Sequence, residues 1–147
     1  MKIKSITWDS CRSVWASRLW PTRTSAIESH SAMLLDGSHS MENMQLPAVY
    51  LGLFQGDQLV GVNSGHLCSD NTWRSRGLWV DPEHRGSGWG SRLLVATIAL
   101  APEDCGRAWS FPRRTSWSSY ERAGFRLVSD WQASDTSDAN AYCLRDI

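Results

Sequence analysis

Residues 78–94 read Leu78-Trp79-Val80-Asp81-Pro82-Glu83-His84-Arg85-Gly86-Ser87-Gly88-Trp89-Gly90-Ser91-Arg92-Leu93-Leu94. This stretch begins as the end of an apolar strand, turns through three glycines at alternate positions and continues as an amphipathic helix. Glycines let the backbone turn tightly and approach a ligand closely, because no Cβ intervenes. The free N–H groups and positive dipole end of the following helix favour an anion such as a pyrophosphate.

Two common phosphate-binding loops fit this stretch poorly. A P-loop needs Gly-Lys-Ser/Thr after four spacer residues, and the lysine is missing. The dinucleotide-binding fingerprint needs GxGxxG, whereas here the third glycine comes one position early and position 91 is Ser91.

The pattern that fits is Arg-Gly-x-Gly-x-Gly after a strand ending Leu-x-Val-x-Pro. In these residues, and in Tyr120-Glu121-Arg122-Ala123-Gly124-Phe125, the sequence resembles the GNAT family, the GCN5-related N-acetyltransferases. The resemblance implies transfer of an acetyl group from acetyl-CoA to a primary amine of a small molecule, peptide or protein. Attack would be direct, in a ternary complex, with coenzyme A as the second product.

The resemblance also implies a fold and a cofactor site. The chain would be one α/β (α+β) domain over residues 1–147, with a mixed sheet of about six or seven strands and about four helices. The sheet would splay between strands four and five, and the pantetheine arm would lie in that gap. The implied cofactor-binding residues are Leu78, Trp79, Val80, Arg85, Gly86, Ser87, Gly88, Trp89, Gly90 and Ser91.

Hydrophobic periodicity independently predicts strands and helices around a central sheet. The predicted strands cover residues 3–8, 49–54, 59–67, 74–80, 107–111, 125–131 and 141–144. The predicted helices cover 11–19, with Asp9-Ser10 as N-cap, then 25–35, the glycine loop to 101, and 116–123. The segment 55–58 predicts a hairpin turn, Gly124 a left-handed helix end, and 132–140 a polar connection.

Composition excludes several function classes. Among 147 residues, 15 Lys and Arg balance 15 Asp and Glu, which argues against nucleic-acid coating or binding to an anionic membrane. The four cysteines lie far apart, without CxxC or HExxH motifs, so no metal site is predicted. No signal peptide or apolar run of about 18 residues is visible. We therefore expect a cytoplasmic monomer or homodimer without nucleic-acid or membrane partners.

Tyr120 matches the position that the family commonly uses as general acid. A backbone N–H at Trp79 or Val80 would polarise the thioester carbonyl. The base stays open, because residues 75–80 contain no acid and Asp81 and Glu83 are expected on the solvated surface. His66 is one candidate for a base or a substrate contact. A water chain, or capture of an already neutral amine, would need no base.

The sequence departs from the family pattern at Arg113, where an Asn is common, and at Ser119, where an aromatic or aliphatic residue is usual. These departures keep a second hypothesis open, a catalytically silent acyl-CoA-binding module with a regulatory or interaction role. The candidate acceptor-binding residues are Arg76, Trp109, Trp20 and His66. If Arg74 or Arg76 faces the cleft, a carboxylate-bearing acceptor is favoured over a polyamine.

Overall fold

The computed structural model describes residues 1–133 and 139–147. In these residues one mixed sheet has the strand order β1-β2-β3-β4-β5-β7-β6, antiparallel except for the parallel pair β4 and β5. The strands are β1 (Lys2–Ser5), β2 (Ala48–Gln55), β3 (Gln58–Leu67), β4 (Trp73–Val80), β5 (Arg107–Ser110), β6 (Arg126–Leu127) and β7 (Cys143–Asp146). The α-helices are α1 (Trp8–Val14), α2 (Trp89–Ile98) and α3 (Trp117–Arg122). This mixed α/β architecture confirms the predicted fold class.

The hairpin of β2 and β3 confirms the prediction made from the Gly-Asp turn. The two strands pair from Ala48↔His66 to Gln55↔Gln58, leaving Gly56 and Asp57 as the connection. Gly56 has a φ of 59°, a left-handed conformation that glycine adopts without steric strain. The turn sets the register of the two pairs next to it, and a bulge between Leu53 and Phe54 shifts the rest of the hairpin by one residue.

The predicted helix over residues 25–35 is wrong, so three α-helices rather than about four lie in the described part of the chain. The carbonyls of Ser31 and Met33 accept hydrogen bonds from Nδ2 of Asn43, at 3.1 and 3.3 Å. Ser29 Oγ is hydrogen-bonded to Nδ1 of the adjacent His30 at 2.7 Å. The two bonds from Asn43 give these carbonyls an alternative to the helical ladder.

Several element ends differ from their predicted positions. Thr7, rather than Asp9 or Ser10, caps α1, because its side chain accepts from the Ser10 N–H. Strand β1 therefore ends at Ser5, and α1 passes into a π-helical turn, Trp15–Leu19. The predicted strand over 125–131 is ordered as a strand only in β6. Residues 134–138 of the predicted polar connection lie outside the described residues.

The core lies on both faces of the sheet. On one face, α2 packs Leu93 and Leu94 against the strands, and both side chains are fully buried. On the other face, Trp15 follows α1 and packs with Val62 and Trp79. Short 3₁₀ turns complete the chain at Met41–Gln45, Pro82–His84 and Arg114–Ser116. None of the helices in the described ranges has the length and apolar character that crossing a membrane requires.

Candidate active site

The site is a cavity between β4 and β5. These strands pair only at Trp73↔Ala108 and Arg74↔Trp109, and a side-chain bond from Ser110 Oγ to the Ser75 carbonyl, 2.7 Å long, marks the last contact. Beyond it the strands diverge around a space of about 610 Å³. Residues 77–80 of β4 line this space. The splay predicted between strands four and five is therefore present.

A bulge redirects β4 where it enters the cavity. Gly77 and Leu78 lie between the paired residues Arg76 and Trp79, whereas the facing strand has a single residue there. Gly77 has a φ of 76°, and its carbonyl accepts a 2.9 Å hydrogen bond from Nε1 of Trp15. Because bulged residues leave the ladder, the backbone groups of the bulge other than this carbonyl become available to a ligand.

The glycine loop forms the outer end of the cavity. Gly86 and Gly88 have φ values of 84° and 86°, and Gly88 is the N-cap of α2 without a side-chain cap bond. The first N–H groups of α2 are therefore left for a ligand. Arg85 is held beside the loop by a bond from its Nε to the Val80 carbonyl, at 2.7 Å.

Gly90 permits close approach of two helices at this end. A Cβ on Gly90 would lie 2.8 Å from Oγ and 3.3 Å from Cβ of Ser119, the residue that departs from the family pattern. A larger residue at either position would push α3 away from α2. Arg122, farther along α3, places its Nη1 3.1 Å from the position that a Cβ on Gly88 would take. Spacing in the sequence had not indicated Arg122 as a loop cation.

Tyr120 reaches the same cavity from α3. Its side chain is 3% exposed, and its ring packs edge-on against Phe125 at a centroid distance of 5.6 Å. Burial raises the pKa of Tyr120 well above its usual value of 10, and a hydrogen bond with Ser110 opposes the rise. The phenol therefore keeps its proton throughout the neutral range.

Two arginines of β4 point to the face of the sheet that carries α1. Arg74 lies over the Trp109 ring at 4.7 Å, and Arg76 lies over Trp15 and Trp20 at 5.0 and 5.3 Å. They are 7% and 8% exposed, and both line the cavity. Burial lowers the pKa of Arg74 to about 10 and that of Arg76 to about 9, so both stay charged at neutral pH.

The cavity is cationic. Among its described lining residues seven are arginines and none is Asp or Glu: Arg18, Arg23, Arg74, Arg76, Arg85, Arg113 and Arg122. Arg113, which replaces the common Asn, donates from Nη2 to the Leu19 carbonyl at 3.3 Å. The turn residue Asp81 instead accepts from the N–H of Glu83, at 3.0 Å. No carboxylate in this described lining can serve as a base.

The structure brings most of the sequence-predicted site residues to this one cavity, and their roles stay predictions. Tyr120, Arg76 and Trp20 line it, together with every cofactor-binding candidate except the exposed Ser87. Trp109 does not line it, because its ring is fully buried beneath Arg74 and its Nε1 donates to Thr72.

His66 needs a correction as a candidate base or substrate contact. Its side chain is fully buried, does not line the cavity and accepts a 3.3 Å hydrogen bond from the Ser31 N–H at Nε2. Burial, and then the positive charge of Arg74, lowers the pKa of His66 to about 3. A neutral, weakly basic ring outside the cavity is part of the core rather than of the reaction.

Comparisons with known proteins agree with this geometry. The family model described as Acetyltransferase (GNAT) family matches residues 7–125. An acetyltransferase of the GNAT family from Staphylococcus aureus MU50 is similar with a TM-score of 0.67 at 12% identity, over 99% of this chain and 98% of that chain. The IAA acetyltransferase from Bacillus cereus ATCC 14579 reaches 0.67 at 15% identity over 99% of both chains.

A third similar structure, PaiA N-acetyltransferase from Thermoplasma acidophilum in complex with coenzyme A, has a TM-score of 0.62 at 15% identity over 100% of both chains. At such identities the structural likeness shows a shared fold. No relative among curated proteins matches the sequence.

Proposed function

The chain belongs to the GNAT acetyltransferase family, and on this premise we propose that it transfers the acetyl group of acetyl-CoA to a primary amine by direct attack in a ternary complex. One observation carries the proposal. A single cavity joins the glycine loop and the uncapped start of α2 to the buried phenol of Tyr120. An anion site and a proton donor are thus connected along the open edge of β4.

The chain's own residues fit coenzyme A at the outer end of this cavity. The absence of Cβ atoms at Gly88 and Gly90 leaves room that side chains would fill, since Arg122 and Ser119 already lie against those positions. The N–H groups from Arg85 to Ser91 would hold the pyrophosphate. Backbone groups of residues 78–80 would bond the pantetheine amides, without loss of side-chain rotamer entropy.

Tyr120 would act as the general acid. As the amine nitrogen bonds to the carbonyl carbon, the carbon–sulfur bond breaks and the sulfur takes a proton from the phenol. The nitrogen releases one proton, which restores the phenol through solvent. The raised pKa keeps Tyr120 protonated when the thiolate, with an ordinary pKa of about 8.5, departs, but it also makes the phenol a weaker acid. The position of Tyr120 in the cavity, rather than its pKa, supports this role.

The cationic lining replaces a dedicated base in this proposal. Positive charges near an amine disfavour its ammonium form and lower its pKa. Arg74 and Arg76 are the buried arginines of β4 that line the cavity. An acceptor amine would therefore lose its proton on entry and attack as the neutral base.

The test is release of coenzyme A thiol from acetyl-CoA over a broad panel of amines, with Tyr120→Phe beside the wild type. We expect kcat for Tyr120→Phe to fall about 10²- to 10⁴-fold, with the Kd of acetyl-CoA nearly unchanged. Tyr142→Phe is the matched control, since Tyr142 packs on Phe111 and lies outside the described cavity lining.

A wild-type rate in Tyr120→Phe would remove the proposed acid. Tight binding of acetyl-CoA without thiol release on any amine would contradict the enzyme proposal and favour the silent acyl-CoA-binding module.

A further inference from the structure

Arg74 is a buried cation without a partner for two of its nitrogens. Its Nε and Nη1 are inaccessible to solvent and make no hydrogen bond. The ion pair found in the described ranges, Arg126 with Asp146, lies on the surface far along the chain. Arg76 has one bond, from Nη1 to the Glu28 carbonyl at 2.8 Å, and no carboxylate. Two buried guanidinium groups thus share one wall of the cavity without a counter-charge from the described residues.

Such an arrangement is unfavourable unless a ligand completes it. A buried charge without a partner is destabilising, and buried polar groups in native proteins nearly always have hydrogen-bond partners. The planar guanidinium matches a carboxylate or phosphate through paired N–H donors. Because Arg74 lines the cavity and is 7% exposed, its guanidinium is suited to an anion that enters this part of the cavity.

The anion is not the pyrophosphate of the acyl donor. Arg74 pairs with His66 and Val80 with Gly61, five residues apart on β3, so at a rise of about 3.4 Å per residue roughly 17 Å separates Arg74 from the end of β4 that precedes the glycine loop. The loop has its own cations, Arg85 and Arg122. Arg74 and Arg76 instead belong to the opposite end of the cavity, where the acceptor would enter.

We propose that the acceptor is a small amine that carries a carboxylate, and that Arg74 and Arg76 hold this carboxylate. The inference rests on the proposed function and names its substrate class. Alternate residues of a strand lie on one face about 7 Å apart, so one carboxylate can contact both guanidinium groups. The rings of Trp109, Trp15 and Trp20 hold the two arginines in place.

The position of Tyr120 limits the length of the acceptor. Arg74 and Tyr120 line the same cavity, and β5 brings them together: Arg74 pairs with Trp109, and Tyr120 is hydrogen-bonded to the next residue, Ser110. The carboxylate site therefore lies beside the reacting centre, and only a few bonds can separate carboxylate from amine. A free amino acid meets this condition. A polyamine does not, because it carries only positive charge, which the cationic wall repels.

The first experiment compares kcat/KM for amino acids with that for their carboxamides, using L-alanine, L-methionine and L-glutamate as pairs. We expect a loss of at least about 100-fold in each amide, because the donors built for the carboxylate are left unpaired. The amide amines are less basic, so amine protonation alone would favour the amides. Spermidine tests a polycationic acceptor. O-phosphoethanolamine tests a phosphate-bearing acceptor, and β-alanine is its carboxylate counterpart.

Each outcome is decisive. If the amides or spermidine have the same kcat/KM as the amino acids, the inference is overturned, whereas the acetyltransferase proposal stays intact. Preference for O-phosphoethanolamine over β-alanine would overturn the carboxylate in favour of a phosphate. If no amine is acetylated, calorimetric binding of the same pairs in the presence of coenzyme A separates failure of this inference from failure of the proposed function. Binding of the amino acids without binding of their amides supports the inference. Equal or absent binding overturns it.

Arg74→Met tests the residue itself. It should abolish the discrimination between amino acid and amide and leave the Kd of acetyl-CoA unchanged, while Arg74→Lys should restore part of it. Arg126→Met removes an exposed arginine outside the cavity and should keep the wild-type preference. Full discrimination in a folded Arg74→Met, or in Arg76→Met if Arg74→Met fails to fold, would contradict the assignment.

Discussion

Replacing the buried His66 by glutamine should remove a defined part of this protein's sensitivity to acid. The ring is fully buried, and its Nε2 accepts a hydrogen bond from the Ser31 N–H. Its centroid lies 5.3 Å from the centroid of the His30 ring. The charges of Arg74 and Arg76 also act on it. Burial is the largest cause that lowers its pKa from 6.5 to about 3.

The sign and size of the effect follow from linkage. The unfolded chain takes up a proton at His66 near pH 6.5, whereas the folded chain resists it down to about pH 3. The unfolded state therefore binds more protons between these values, so this contribution to the free energy of unfolding is complete above pH 6.5 and is lost as the pH falls. At pH 5 the loss from His66 alone is about 2 kcal/mol.

Urea unfolding followed by Trp fluorescence at pH 7.5 and 5.0 measures this loss. In His66→Gln, whose side-chain oxygen can accept from Ser31, the drop in unfolding free energy should be smaller than in the wild type by about 2 kcal/mol. His39→Gln, at an exposed histidine, leaves the buried ring in place and should keep the wild-type drop. Equal drops in His66→Gln and wild type would refute the reasoning. Turnover at pH 7.5 should persist in His66→Gln, because the ring does not line the cavity.

Three further predictions concern the cavity itself. Gly77→Ala should lower the free energy of unfolding by about 2–5 kcal/mol, because its Cβ would lie 2.2 Å from the Trp15 ring at a φ of 76°. The control Gly56→Ala has open space at a φ of 59° and should lower it by only about 1–2 kcal/mol. Similar losses for both variants in a urea titration would contradict the packing argument. Gly88→Glu should abolish acetyl-CoA binding in calorimetry, whereas Gly88→Ala should weaken it less, because only the glutamate adds negative charge at the start of α2. Equal losses of affinity would exclude the electrostatic contribution to this effect. The rate at saturating substrates should not fall between pH 7 and 9.5 through loss of the Tyr120 proton, because burial raises its pKa, and a falling limb that is absent from Tyr120→Phe would contradict this.

Local chemistry made much of the fold predictable. The Gly56-Asp57 turn and the left-handed Gly124, whose φ is 94°, require backbone conformations that few other residues adopt, so their positions are readable without tertiary information. The helix predicted over 25–35 failed for the opposite reason. Its apolar spacing resembles a helical face, but Asn43, which lies outside the segment, donates hydrogen bonds to the carbonyls of Ser31 and Met33.

The site was only partly predictable for a similar reason. The glycine loop and Tyr120 belong to local motifs, so their residues could be named before their arrangement was known. Arg122 had no such signal, because its place beside Gly88 depends on how closely α3 packs on α2. His66 and Trp109 were chosen for their chemistry, and burial by neighbouring elements excludes them from the cavity lining.

The sequence by itself determined the family, the strand–loop–helix that offers an anion site and the candidate acid, because these depend on residue types at short, fixed spacing. Only the tertiary structure decided where the arginines of β4 lie. Arg74 and Arg76 alternate with Trp73 and Ser75, and a two-residue period does not tell which set faces a ligand. The bulge at Gly77, the rings of Trp15 and Trp20 and the divergence of β5 turn Arg74 and Arg76 toward the cavity, where no carboxylate of the described residues pairs with them.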